Sequence, residues 1–136
     1  MDFILDASFA LHWFFDDEIT DSCDSVLTQL QELTSAAFVP DIWAYEMLNA
    51  MGKGVMRKRI ERQKALKVWR DMQPLPIQTV RVPTDDKLLE LALQSDIAVY
   101  DASYLSLAIA RDLPLATGDG KLQAAAKKFG LKIIEP

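Results

Sequence analysis

Short apolar runs, most of them closed by an acid, a proline or a turn residue, recur along this chain and alternate with longer stretches of helical period. Phe3-Ile4-Leu5 ends at Asp6, Ala37-Phe38-Val39 ends at Pro40-Asp41, and Ile77 to Val82, which alternates as a strand does, is followed by the capping sequence Thr84-Asp85-Asp86-Lys87. Leu113-Pro114-Leu115-Ala116 runs into Thr117-Gly118-Asp119, and Leu131 to Ile134 supplies a last run. Strands this short and this apolar are buried on both faces, which requires helices above and below a mainly parallel sheet. The pattern therefore selects an α/β domain.

The helical stretches between the runs carry their own punctuation. One is expected from Asp17 to about Leu33, with Val26, Leu27, Leu30 and Leu33 on one face. A third helix carries Trp43, Glu46, Met47, Ala50 and Met51, and Gly52 and Gly54 are expected to interrupt it. Met56 to Met72 is helical again until Pro74 and Pro76 stop it. Ile97 to Tyr100 reads as a strand or a buried turn, Asp101 to Arg111 as an apolar helix, and Lys121 to Lys128 as a helix ended by Gly130.

The chain has 136 residues, half of them hydrophobic, which suits one domain over residues 1–136. Asp2 and Asp6 stand where a signal peptide would need a basic end and an unbroken apolar run, and no apolar stretch approaches the roughly 20 residues that span a bilayer. Cys23 is the only cysteine, so neither a disulfide within the chain nor a cysteine-based zinc site is available. A soluble, cytoplasmic protein is expected. The formal charge of -5 argues against coating nucleic acid through bulk electrostatics.

In open α/β sheets, ligands bind at the carboxyl ends of the strands. Asp6, Asp101 and Asp119 each follow an apolar segment, and Glu46 lies in a helix whose long side chain reaches toward the same rim. Carboxylates crowded in this way repel and are driven toward protonation unless a cation neutralises them. Oxygen ligands without cysteines or paired histidines favour magnesium, with manganese as the alternative. Phosphodiester hydrolysis suits such a site, and the hydroxyls of Ser8 and Thr117 stand where they would orient a carboxylate.

Four strings narrow this further: Ile4-Leu5-Asp6-Ala7-Ser8, Pro40 to Asn49 around Glu46, Tyr100-Asp101-Ala102-Ser103-Tyr104-Leu105-Ser106-Leu107-Ala108, and Ala116-Thr117-Gly118-Asp119. In order, they resemble the four acidic motifs of PIN-domain nucleases, and most of all those of VapC-type toxins from toxin–antitoxin (VapBC) pairs. The resemblance covers essentially the whole chain. It implies a three-layer α/β/α fold around a five-stranded, mainly parallel sheet, and an endoribonuclease dependent on magnesium or manganese. It also implies a small antitoxin that places a basic side chain in the acidic site, and a homodimer. Asp6, Glu46, Asp101 and Asp119 become metal-site residues by motif, with Ser8, Asn49 and Thr117 as supports. Gly118 and Gly120 flank Asp119 and suggest a loosely held side chain that meets metal through water.

Lys53, Arg57, Lys58, Arg59, Arg62, Lys64, Lys67 and Arg70 are more than half of the 15 basic residues and fall in one stretch. Arg57, Arg59 and Arg62 are the candidates there for guiding an RNA backbone, against the plainer reading of a solvated helical face. His12 and the aromatic run Trp13-Phe14-Phe15 are expected to pack in the core or at a dimer surface. Met47, Met51, Met56 and Met72 are expected to fill core space rather than form an adaptable surface. An aspartyl-phosphate phosphatase is disfavoured because the second Asp it needs is Ser8 here. The remaining alternatives are a catalytically silent PIN-like module that binds RNA or acts as a scaffold, and a nuclease acting on DNA.

Overall fold

The computed structural model describes residues 1–136. A sheet of five strands, β1 (Phe3–Leu5), β2 (Ala37–Pro40), β3 (Ile77–Val80), β4 (Leu115–Ala116) and β5 (Ile133–Ile134), runs in the order β3-β2-β1-β4-β5. Every pairing is parallel, with Ile4 of β1 opposite Phe38 of β2 on one side and Leu115 of β4 on the other. Phe3, Ile4 and Leu5 are all buried, as a central strand covered on both faces demands.

The helices are α1 (Ala7–Ala10), α2 (Asp21–Gln31), α3 (Ile42–Met56), α4 (Arg62–Met72), α5 (Asp86–Ser95), α6 (Val99–Arg111) and α7 (Gly120–Lys128). From β1 the chain steps to β2 and β3 in one direction; it then returns across the sheet to β4 and continues to β5 in the other. Right-handed crossovers accordingly place α2, α3 and α4 on one face and α5, α6 and α7 on the opposite one, giving three layers.

Three local expectations are corrected and a fourth is resolved. The helix expected from Met56 to Met72 forms only as α4 from Arg62, because the chain turns between Arg57 and Glu61 with Lys58 left-handed (φ 57°). The chain makes a short 3-10 turn at Asp16–Glu18, and α2 begins only after Thr20, whose hydroxyl accepts the Cys23 N–H at 3.1 Å while the Thr20 N–H meets Cys23 Sγ at 3.0 Å. Gly52 and Gly54 lie inside α3, because a cost of about 1 kcal/mol per glycine is outweighed by the burial of Met47 and Met51 on the same helix. A Cβ on Gly54 would come within 3.2 Å of the Phe15 ring, so its bareness lets that ring approach the helix. Of the strand or turn read at Ile97 to Tyr100, the turn is what forms, and it leads straight into a helix. Asp96 adopts a left-handed conformation (φ 53°) that closes α5, the Ile97 N–H bonds back to the Ala92 carbonyl at 3.1 Å, and α6 starts two residues later.

Candidate carboxylate site

The strand order creates the site. β1 and β4 are neighbours whose continuations leave in opposite directions, so a crevice opens at their carboxyl ends. Asp6 follows β1 directly, Thr117 follows β4 directly, and the two are tied together. Asp6 Oδ2 accepts the Ser8 hydroxyl at 2.5 Å and the Thr117 hydroxyl at 2.7 Å, while Oδ1 has no side-chain donor. Ser8 Oγ accepts the Gly118 N–H and Thr117 Oγ1 accepts the Asp119 N–H, each at 3.0 Å. Asp6 is only 4% exposed. Burial pushes its pKa up, the two hydroxyls pull against that, and the charge of Asp119 adds to the rise.

Asp119 is held more firmly than its glycine neighbours suggest. It is the N-cap of α7, and its Oδ1 accepts the N–H groups of Lys121 and Leu122 at 2.9 and 3.1 Å, leaving Oδ2 uncommitted. Glu46, in the second turn of α3, accepts the Tyr104 hydroxyl on Oε1 at 2.6 Å and keeps Oε2 free. Burial raises the Glu46 pKa, the Tyr104 bond lowers it, and repulsion from Asp6 and then Asp101 raises it further. Asp101 sits in the first turn of α6 rather than at a strand end. Half-buried, it has its pKa raised by desolvation and then by Asp119 and Asp6. Three of the four acids thus have one oxygen fixed by a donor and the other open. The amino ends of α6 and α7 bring their positive dipole ends to the same rim.

Asp119 acts on Asp6 and Asp101, and Asp6 and Asp101 act on Glu46, yet no three side chains stand close enough to grip a bare ion between them. Magnesium keeps several of its waters and uses one or two carboxylates directly, so a hydrated hard cation fits this all-oxygen set.

The other candidates divide. Asn49 is exposed, one turn along α3 from Glu46, with no hydrogen bond to any of the acids. Arg57 and Arg62 are exposed and form no ion pair. Arg59 is already engaged: it pairs with Asp17 at 3.2 Å and Glu18 at 3.5 Å, and its guanidinium lies 3.8 Å from the centre of the Phe15 ring. His12 Nδ1 lies 2.9 Å from the Glu18 carbonyl oxygen, and Trp13, Phe14 and Phe15 are core. Met47, Met51 and Met72 are buried as expected, but Met56 is 76% exposed. Sequence reasoning missed Tyr104 as a site residue. The available signal was its spacing, three residues after Asp101 on an apolar helix, which puts it on the same face.

The PIN domain family model matches residues 3–128. The chain belongs to the PIN domain family. Its similarity extends to Ribonuclease VapC1 of Mycobacterium tuberculosis, 33% identical over 93 residues that make up 67% of this chain and 68% of that protein. Among solved structures, PAE2754 from Pyrobaculum aerophilum superposes with a TM-score of 0.68 at 23% identity, covering 98% of this chain and 84% of that one. VapBC2 from Rickettsia felis, bound to a DNA fragment from its promoter, gives 0.63 at 17% identity and covers 99% of this chain and 98% of that one. At those identities the two structures speak for the fold alone. This PIN domain has no helix long and apolar enough to cross a membrane.

Proposed function

We propose that residues 1–136 form a single-domain endoribonuclease that depends on magnesium, or alternatively manganese, and acts in the cytoplasm as the toxin of a toxin–antitoxin pair. The observation that carries this reading is the meeting of four carboxylates from four different elements at the β1/β4 crevice, where their mutual repulsion calls for a cation. The similarity to Ribonuclease VapC1 supports RNA as the substrate.

Asp6, Glu46, Asp101 and Asp119 would hold the ion. Bound there, it would supply positive charge to the scissile phosphate and leaving oxygen and the acidity that makes water a nucleophile at neutral pH. The chain's own contribution is pre-organisation. Ser8 and Thr117 fix one oxygen of Asp6, two backbone N–H groups fix one of Asp119, and the open oxygens are left for the cation and its water. The dipoles of α6 and α7 favour a phosphate on the same rim.

An antitoxin with an Arg would find in the acid cluster a site for charge-assisted hydrogen bonds. Leu48, Val55, Met56, Leu66 and Trp69 line an apolar groove of about 350 Å³ between α3 and α4 that suits the rest of such a peptide. Exposed Tyr45, Val99 and Tyr100 beside a second groove of about 280 Å³ support a homodimer through that face.

The test is cleavage of structured and unstructured RNA by purified protein with magnesium, manganese or EDTA, alongside Asp6→Asn. Cutting that needs metal and falls by about 100-fold or more in the variant is expected. Full activity in Asp6→Asn, with contaminating nuclease excluded, would remove the site assignment.

A further inference from the structure

We infer that Tyr104 is a positioning residue of the carboxylate site, whose hydroxyl holds Glu46 against the repulsion of the other acids. The inference rests on the metal-site reading above and adds to it a residue that the four motifs do not count among the acids.

Glu46 reaches the site from α3, on the opposite side of the sheet from the helix that carries Asp101. It has no Lys or Arg partner, and Asp6 and Asp101 both push its charge away. A glutamate has three rotatable bonds, and on a half-buried helical position the relaxed outcome is a side chain turned to solvent. The one donor that opposes this is Tyr104, whose O–H reaches Glu46 Oε1 at 2.6 Å.

Tyr104 is suited to the task. It is completely buried, so its ring cannot swing, and a buried hydroxyl retains a partner because none is available from water. One turn earlier on the same helix stands Asp101. Tyr104 therefore ties α6, which carries Asp101, to Glu46 on α3, and its hydroxyl fixes Oε1 while Oε2 keeps no hydrogen-bond partner.

The ring and the oxygen are separable, which makes the idea testable. Tyr104→Phe keeps the core filler and deletes the donor. Mn2+ binding to the RNA-free protein, read by calorimetry or by the electron paramagnetic resonance of the ion, is compared for wild type, Tyr104→Phe, Glu46→Gln and the double variant. The expected result is a 10- to 100-fold weaker Kd in Tyr104→Phe, about the loss typical of a partner that orients a ligand. No further loss is expected when Tyr104→Phe is added to Glu46→Gln. An unchanged Kd in Tyr104→Phe overturns the inference and leaves the metal-site reading standing, as does an equal loss in both backgrounds, which marks a purely structural role. Wild type that takes up no Mn2+ at all overturns both.

A second measurement does not depend on the Phe variant folding. With 3-fluorotyrosine at all three tyrosines, the 19F resonance of residue 104 is expected to shift in Glu46→Ala and on adding Mg2+, while those of residues 45 and 100 stay. A residue 104 signal indifferent to both changes overturns the inference.

Discussion

Thr117→Val deletes one hydroxyl from the centre of the site and keeps the shape of a fully buried side chain. In the native protein Thr117 Oγ1 donates to Asp6 Oδ2 at 2.7 Å, accepts the Asp119 N–H at 3.0 Å and lies 3.2 Å from Ser8 Oγ. A hydrogen bond to a charged group contributes about 1.5–3 kcal/mol, and a backbone N–H left without its partner adds about 1 kcal/mol. The extra buried methyl group returns about 0.8 kcal/mol. The balance is a loss of about 2–3 kcal/mol, or about 8 °C in Tm at about 3 °C per kcal/mol for a domain of this size.

The pH dependence of that loss identifies its source. The Thr117 bond holds the Asp6 pKa down against burial, so removing it raises that pKa further. A raised folded-state pKa means that the folded protein binds the proton more tightly than the unfolded chain, and stability falls as pH rises. The deficit of Thr117→Val is therefore larger near pH 8 than near pH 4.5. Urea unfolding in EDTA, followed by the fluorescence of Trp13, Trp43 and Trp69, measures it at both pH values. A loss below about 0.5 kcal/mol near pH 8, or one of equal size at both, would refute the claim that Thr117 supports an ionised Asp6.

Further consequences follow from the same structure. Because Asp6, Glu46 and Asp101 all have raised pKa values, the metal-free protein should be most stable in mild acid and lose stability as pH rises through those values. Millimolar Mg2+ should flatten that profile, which thermal melts with and without EDTA will read. If Arg57 and Arg62 contact RNA, replacing each should reduce the slope of log K against log salt by about 0.7 per lost phosphate contact on single strands, as seen by fluorescence anisotropy on an uncleavable RNA. Arg59→Ala should instead lower stability by about 1 kcal/mol, because Arg59 stacks on Phe15 and pairs with Asp17 and Glu18. Gly52→Ala should raise stability by about 0.5–1 kcal/mol, since a Cβ there meets nothing within 4 Å inside a continuous helix.

Much of the architecture is legible in the local pattern. The runs at Phe3, Ala37 and Leu115 are strands because a parallel strand covered on both faces writes itself as unbroken apolar residues, while the edge strand at Ile77 shows as alternation, with Gln78 and Thr79 exposed. Ile97 to Tyr100 misleads for the same reason, since a few apolar residues read alike in a strand and in a buried helix end. What separates them is the left-handed Asp96, where a glycine would have announced the turn. Gly52 and Gly54 mislead in the opposite sense: their cost is local and visible, and the burial of Met47 and Met51 that outweighs it is tertiary.

The division is sharper at the site. By itself the sequence determined the class of fold, the all-oxygen character of the acid set and, through four ordered motifs, the family, because residue type and short-range spacing are written directly in the chain. Only the tertiary structure decided which oxygen of each acid is held and which is open. It also decided that Asp119 is pinned by the first turn of α7, that Arg59 is spent on Phe15 and its acidic neighbours, and that Tyr104 reaches Glu46. The cap at Asp119 apart, those contacts join residues tens of positions apart. They exist because the strand order β3-β2-β1-β4-β5 reverses between β1 and β4, and a chain reversal of that kind has no signature in any local window.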